Sequence, residues 1–583
     1  MKLFSILAPT LATATLLLCG QDALAAQPSL SDINSSEQSA VADSTENSAT
    51  EKKKKDYGKL TGSFESNTIY YMSDDKTGAV APSPAYGSNN YLKLDYKLGG
   101  FSAGIQIEYY PHVIQGYDTE LEGIGIPMKY LSYQATNWSV TVGDYYEQFG
   151  SGLLFRSWED RQLGFNNSIG GARATYNTKD NTFAAKLIYG FPRDYLHSTG
   201  SGYDFAGSLF NDYTSTQIFG ADMSLSISNL LFPKSDHSLT IEGSGLYRLE
   251  DGIPENLQYL NDVLSLGLRD DLFSYSARAQ YQWQGFSFKG EYVGKGKDLY
   301  TNPKTYEDEL KAGNAQLVEL SYSQSGFTVL GAFRRLENME QQIYRTTDLV
   351  LPANTLNYIP ALVQPQTYML AAYNPYVALG EGEMGGQLDV FYNFKRGSSL
   401  GGKYGFKVHA NASVYYALAS TLKNYDNDNL AYYDVNINLD KTWTKNFKTK
   451  FLYSHQQMSV DHGNSDEYDV IDVAVLEGIY KFTRKFSMRL ELQYLFSDDL
   501  EKDWVAALLE ANFAPRWSVY ASDMYNHGDT KVHYYSVGAS YTYSILRVAA
   551  SFGRNREGVV CSGGVCRMQP AYTGANLQLT LLF

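Results

Sequence analysis

Cysteine is almost missing: three occur in 583 residues. Cys19 follows the first apolar run, while Cys561 and Cys566 are separated only by Ser562, Gly563, Gly564 and Val565. Two thiols with no histidine beside them do not make a zinc site, and in an exported chain a close pair defaults to a disulfide. Proline is scarce at 16. After the N-terminal run, no apolar stretch approaches the ~20 residues of a membrane helix, which excludes a helical membrane protein. Basic charge is also short: 48 Lys and Arg against 63 Asp and Glu leave a net charge of −15. That balance argues against a nucleic-acid partner. The eight histidines (His112, His197, His237, His409, His455, His462, His527, His533) are scattered. His-Glu-x-x-His and phosphate-loop patterns are missing, and Gly-x-Ser-x-Gly occurs only at short turns; at Gly100-Phe101-Ser102-Ala103-Gly104 it follows the turn and opens a strand, so it makes no nucleophile elbow. No enzyme, cofactor or metal site is expected; only a catalytic site assembled from separated strand ends would escape this test.

The N-terminus supplies the first positive signal. Lys2, an apolar run from Leu3 to Leu18, and small residues at Ala23, Ala25 and Ala26 read as a secretory signal peptide, 1–26. Leu18 stands where a lipobox needs a small residue, so Cys19 is not expected to carry lipid. Residues 27–56 are rich in Ser, Glu, Asp, Thr and Ala and end in Glu51-Lys52-Lys53-Lys54-Lys55-Asp56. They cannot build a core and read as a disordered periplasmic tether. Asp43-Ser44-Thr45 within it resembles an O-glycosylation triplet, and a chance triplet fits equally well.

An exported chain without membrane helices is either soluble or a closed barrel, because only helices and barrels satisfy every backbone group in lipid. The patterning from Tyr57 to Phe583 selects the barrel. In Phe486–Phe496 every second residue is apolar and most of the others are polar; Tyr535, Val537, Ala539, Tyr541 and Tyr543 alternate with Ser536, Gly538, Ser540, Thr542 and Ser544. Apolar-out, polar-in alternation is the lipid/lumen dyad. A soluble sheet matches it locally, but would need some two dozen strands with no covering layer. The 49 tyrosines suit aromatic girdles at the two membrane interfaces.

Turn residues divide the chain into strand pairs. Short turns fall near Gly99-Gly100, Thr136-Asn137, Lys179-Asp180, Asn229 to Asp236, Gly285, Gly326, Arg396 to Gly402, Thr444-Lys445, Arg484-Lys485, Pro515-Arg516 and Ser544. Longer loops fall near 72–88, 111–123, 148–169, 193–214, 251–270, 297–312, 336–381, 419–429, 459–467, 498–502, 527–532 and 556–571. The expected fold is all-β: a transmembrane antiparallel barrel of about 24 strands, an even number, with short periplasmic turns and long extracellular loops. The short turns are rich in Lys and Arg, and the long loops carry most of the acidic groups, such as Asp74, Asp118, Glu122, Asp466 and Asp498. Basic turns suit phospholipid headgroups, and an acidic rim suits bridging to lipopolysaccharide through divalent cations.

Two loops stand out. Gly150-Ser151-Gly152 reads as a hinge leading into a short helix-capable stretch in which Arg156 and Asp160, four apart, would share a face. Arg156, Glu159, Asp160 and Arg161 are therefore lumen or constriction candidates in a loop, 148–169, that folds inward. They either narrow the bore or latch the loop to the wall. The loop 336–381 holds Pro352, Pro360, Pro365 and Pro375 among Leu349, Val350, Leu351, Ile359, Leu362 and Val363. It is too apolar for a free external loop, so it plugs or caps the barrel, or binds a partner. A barrel near 24 strands has room for a plug. The stretch from Arg556 to Arg567 is expected outside the barrel, with Cys561–Cys566 stiffening its tip.

The final strand alternates Leu577, Leu579, Leu581 and Phe583 with polar residues. It resembles the terminal signal that outer-membrane barrels present to their assembly machinery. The stretches Gly143–Arg156 and Arg556–Arg567 resemble a family of large Bacteroidota outer-membrane barrels of unknown function, and the resemblance covers roughly 57–583. It implies an outer-membrane location and a barrel fold, and it supplies no catalytic residues. The expected function is a channel or transporter-like pore for hydrophilic solutes or a polymer, gated or plugged by 148–169 and 336–381. The alternative is a non-catalytic scaffold of a larger secretion or surface-protein assembly. Expected partners are outer-membrane lipid and lipopolysaccharide, the barrel-assembly machinery, and an envelope protein or lipoprotein.

Overall fold

A computed structural model describes residues 57–194, 213–252, 267–301, 308–343, 355–418, 429–563 and 565–583. Residues 1–56, with the expected signal peptide, tether and Asp43-Ser44-Thr45, lie outside them, as do His197 and the Leu349–Pro352 part of the long loop.

Twenty-four antiparallel strands form one sheet, each paired with its neighbours along the chain. The first strand, Lys59–Met72, also pairs with the last, Tyr572–Leu582, from Ser63↔Leu582 to Met72↔Thr573, and this closes the barrel. The short connections fall where Gly99-Gly100, Gly285, Gly326 and Ser544 place them; Gly285 and Gly326 both have φ 86°, a conformation glycine adopts without strain. The connection at 229–236 contains a short helix, Ile227–Leu231, capped by Ser226. One expected loop is largely strand: Phe286–Thr301 and Asp308–Gln324 continue their ladder through Lys297↔Ala312 and Leu299↔Leu310. Burial of Leu299 and Tyr300 explains the extension, since an extended backbone turns both toward packed surroundings.

Alternation sorts the two faces. In Phe486–Phe496, Leu490, Leu492, Tyr494 and Phe496 are exposed outward, while Glu491, Gln493 and Leu495 are buried inside. The outward apolar surface continues around the barrel as far as Leu577 in the last strand. An apolar belt of this extent is too large for water and suits lipid. Exposed Trp138, Trp283, Trp443 and Trp517 sit beside the short turns, and exposed Tyr70, Tyr109, Phe273 and Phe496 sit near the long loops. Ten residues separate Phe486 from Phe496, which at strand rise and barrel tilt spans about 25 Å, the height of an outer-membrane apolar band.

At the long-loop end of the closing seam, Asp74 accepts hydrogen bonds from Arg554 Nε at 2.6 Å and Thr573 Oγ1 at 2.6 Å. Burial pushes the Asp74 carboxyl up, but these bonds outweigh it and hold the group below the usual carboxylate range. Its contribution is therefore complete above the unfolded value near pH 4 and lost as pH falls through the lower folded value. Thermal melting should separate wild type from Asp74→Asn at neutral pH, and the two curves should converge in acid.

Candidate functional site: a loop plug in the lumen

Two of the long loops, 148–169 and the described parts of 336–381, fold into the barrel. The segment after Tyr145 turns at Gly150 (φ 56°) and Gly152 (φ 93°), then runs as short extended pieces: Gln148–Phe149 pairs with Phe155–Arg156, and Glu159–Asp160 pairs with Phe165–Asn166. The helix expected here does not form, so Arg156 and Asp160 do not share a helical face. An extended chain instead turns Phe155 into an apolar core with Leu153 and Leu154, and Arg156 away from it. Asp160 Oδ1 accepts the backbone N–H groups of Gln162 and Leu163.

Gly150 has no room for a side chain. A Cβ there would lie 2.5 Å from Glu291 Oε1 and 2.7 Å from Arg278 Cδ. Glu291 in turn accepts the backbone N–H of Ser151 at 3.1 Å, so the expected hinge is pinned to the wall.

Farther along, Arg161 pairs with Glu159 at 3.0 Å and with wall residue Glu65 at 2.9 Å, while Gln106 donates to Glu159 at 2.7 Å. Burial alone would lower the Arg161 pKa; Glu159 and Glu65 overcome that and raise it above its ordinary value. Between this loop and the wall remains a small pocket, lined in part by Tyr91, Glu108, Tyr110, Arg161 and Arg193, with room for about one water.

The described parts of the second loop, 338–343 and 355–381, cross the interior. Leu356 and Ile359 join Leu153–Phe155 in one core against inward wall residues Ile188, Ile218, Val293 and Leu336. Leu370, Ala371 and Tyr373 pack on the opposite wall against Leu452, Val473, Leu495 and Trp504. Tyr376 stacks on Tyr415 and Tyr432. Wall side chains hold the loop by its backbone: Arg248 donates to Gln342 O at 2.9 Å, Lys295 to Glu340 O at 2.7 Å, Arg334 to Pro360 O, and Gln456 to Ala371 O at 2.8 Å.

The disulfide hairpin also folds inward, instead of forming an external tip. Gly558–Ser562 pairs with Val565–Gln569, Cys561 is bonded to Cys566, and Val560 and Val565 pack on Tyr91, Tyr110, Trp158 and Phe165. Apolar residues on both arms explain the direction. Gly563 O accepts the N–H of Ile359 at 3.0 Å, so hairpin and long loop are joined.

Residues that patterning did not single out hold these segments together. Asn357 Nδ2 donates to Leu153 O and Met339 O, Gln341 Nε2 to Leu154 O, and Asn167 Nδ2 to Thr355 O. Their partners lie up to 204 residues away, and no local signal marks them. Leu577, Leu579 and Leu581 alternate with Gln578 and Thr580 in the closing strand, and Phe583 exchanges backbone hydrogen bonds with Gly62.

The sequence profile of a family of unknown function, DUF6029, matches residues 25–583. No curated protein matches. Among solved structures, the P pilus usher (PapC) translocation pore is 10% identical, with 90% of this chain and 99% of that one covered and a TM-score of 0.39. The siderophore receptor PirA from Pseudomonas aeruginosa is 9% identical, with 91% and 81% covered and a TM-score of 0.40. The copper transporter OprC is 8% identical, with 90% and 81% covered and a TM-score of 0.39. At these values none of them bears on what the chain does.

Proposed function

The chain belongs to DUF6029, a family of unknown function, and from its own geometry we propose that it is a non-enzymatic, transporter-like barrel of the bacterial outer membrane. The Bacteroidota lineage is what the resemblance at 143–156 and 556–567 implies. The outward apolar belt between aromatic girdles supports the location, and lipid, lipopolysaccharide and the assembly machinery are its proposed partners. One observation carries the reading: among the described residues the chain's own loops fill the lumen, packed against inward wall side chains. Barrels of this size need such a plug, and a plug made of hinged loops can move aside for a hydrophilic solute. Arg161, Glu159 and Glu65 latch the loop; Gly150 and Gly152 supply its hinge. Deleting 153–163 removes the centre of the plug while sparing the strands. Liposome swelling with small sugars should rise well above wild type. Unchanged swelling by a correctly assembled deletion variant would count against gating.

One observation favours the second reading, a sealed scaffold: the backbone of 338–381 is hydrogen-bonded to walls on both sides of the lumen. That reading predicts stable co-purification with an envelope protein.

A further inference from the structure

We infer that Arg156 is an oxyanion-recognition residue carried on the plug, and that the solute this barrel handles bears a carboxylate or phosphate. The inference rests on the transporter reading and names its substrate class. Most buried arginines inside the barrel meet a carboxylate, while Arg556 stacks on Tyr373 and Trp504. Arg173 meets Glu147, Arg193 meets Glu108, Arg278 meets Asp222, Arg334 meets Glu383, and Arg489 meets Glu477. On the plug, Arg161 has Glu159 and Glu65, and Arg567 donates to Gln162 O and Gln569 Oε1.

Arg156 differs. Among the described residues its guanidinium meets no carboxylate and no hydrogen-bond acceptor, only rings: its Cζ lies 3.9 Å from the Tyr358 centroid and 5.9 Å from that of Trp158. The side chain is half-buried, and its backbone is fixed on both sides, Arg156 N donating to Leu356 O and Asn167 Nδ2 to Arg156 O. Tyr358 cannot retreat, because a Cβ on Gly563 behind it would stand 2.0 Å from its ring.

Stacking occupies the face of the guanidinium and leaves its N–H edge free. That edge is a rigid fork of donors whose geometry matches carboxylate and phosphate oxygens. A fork held in place loses little freedom on binding, so a single half-buried arginine can still select an anion. Its position matters too: it lies just beyond the Gly150–Gly152 hinge, so an anion bound there touches the element that must move.

The test is calorimetric titration of the full-length protein in detergent at low ionic strength, with glucuronate, inorganic phosphate and glucose as probes. Saturable binding of glucuronate or phosphate, with none for glucose, is expected, and the probe that binds identifies the anion source. Arg156→Gln should weaken binding by about tenfold or more, and Arg156→Lys, which keeps charge but loses the fork, should recover only part. Heat-modifiable gel mobility confirms folding; if Arg156→Gln fails to fold, Arg156→Lys alone must show the loss. Equal binding by wild type and the folded variants, or no oxyanion binding by wild type, overturns the inference. Failure here is separable from failure of the transporter reading: swelling by the 153–163 deletion without oxyanion binding removes only the anion site, and binding without swelling removes only the pore.

Discussion

Arg334→Ala will free the loop 338–381 from the wall and leave the barrel closed. Arg334 and Glu383 are 1% and 0% exposed and pair at 2.8 Å. Arg334 also donates to Pro360 O, and Glu383 accepts from Tyr376 Oη and from the Leu379 N–H. Three anchoring contacts of the plug thus converge on one ion pair. Removing the arginine leaves a buried carboxylate without its cation, a loss of about 3–5 kcal/mol. The strand ladder itself is untouched, since Arg334 keeps its backbone pairing with Leu317 and Gly385. The expected result is proteolysis within 338–381 faster by roughly two to three orders of magnitude, with normal heat-modifiable mobility of the barrel. The double variant Arg334→Met, Glu383→Leu should regain much of the protection, because it removes the stranded charge. Equal protection in wild type and the single variant would show that the plug does not depend on this anchor.

Asn357→Ala should uncouple the two main plug segments. Asn357 is 2% exposed; its amide nitrogen donates to Leu153 O at 3.0 Å and Met339 O at 2.7 Å, and its oxygen accepts from Gln341 N and Thr355 Oγ1. Truncation strands several buried polar groups at about 1–3 kcal/mol each. Hydrogen exchange should speed up at 148–169 and at 338–359 together. Exchange confined to 338–359 would mean that the two segments are held independently.

Most of the barrel was legible because its signal is local. Lipid forces every outward residue to be apolar, so Phe486–Phe496 announces its own register, and short turns need residues such as Gly285 and Gly326 at fixed places. The errors occurred where the environment is not lipid. Leu299 and Tyr300 extend their strands because neighbouring chain covers them. Leu153-Leu154-Phe155-Arg156 looked helix-capable because spacing alone cannot separate a short helix from extended chain packed on one side. The apolar character of 336–381 signalled that it would be covered, and Leu356, Ile359 and Leu370 do pack on wall residues. Which wall it meets could not be read, because Leu370 finds Trp504 and Asn357 finds Leu153 only after the barrel has closed. That Arg156 meets no carboxylate among the described residues was equally invisible, as it depends on where each carboxylate comes to rest.

The central claim is that the plug is movable, and single-channel recording in a planar bilayer tests it most directly. The full-length barrel should be closed for most of the record, with brief discrete openings, and the 153–163 deletion should stay open with a larger unitary current. Silence from both proteins, each inserted and correctly folded, would contradict the account and leave a sealed barrel whose role is to hold a partner.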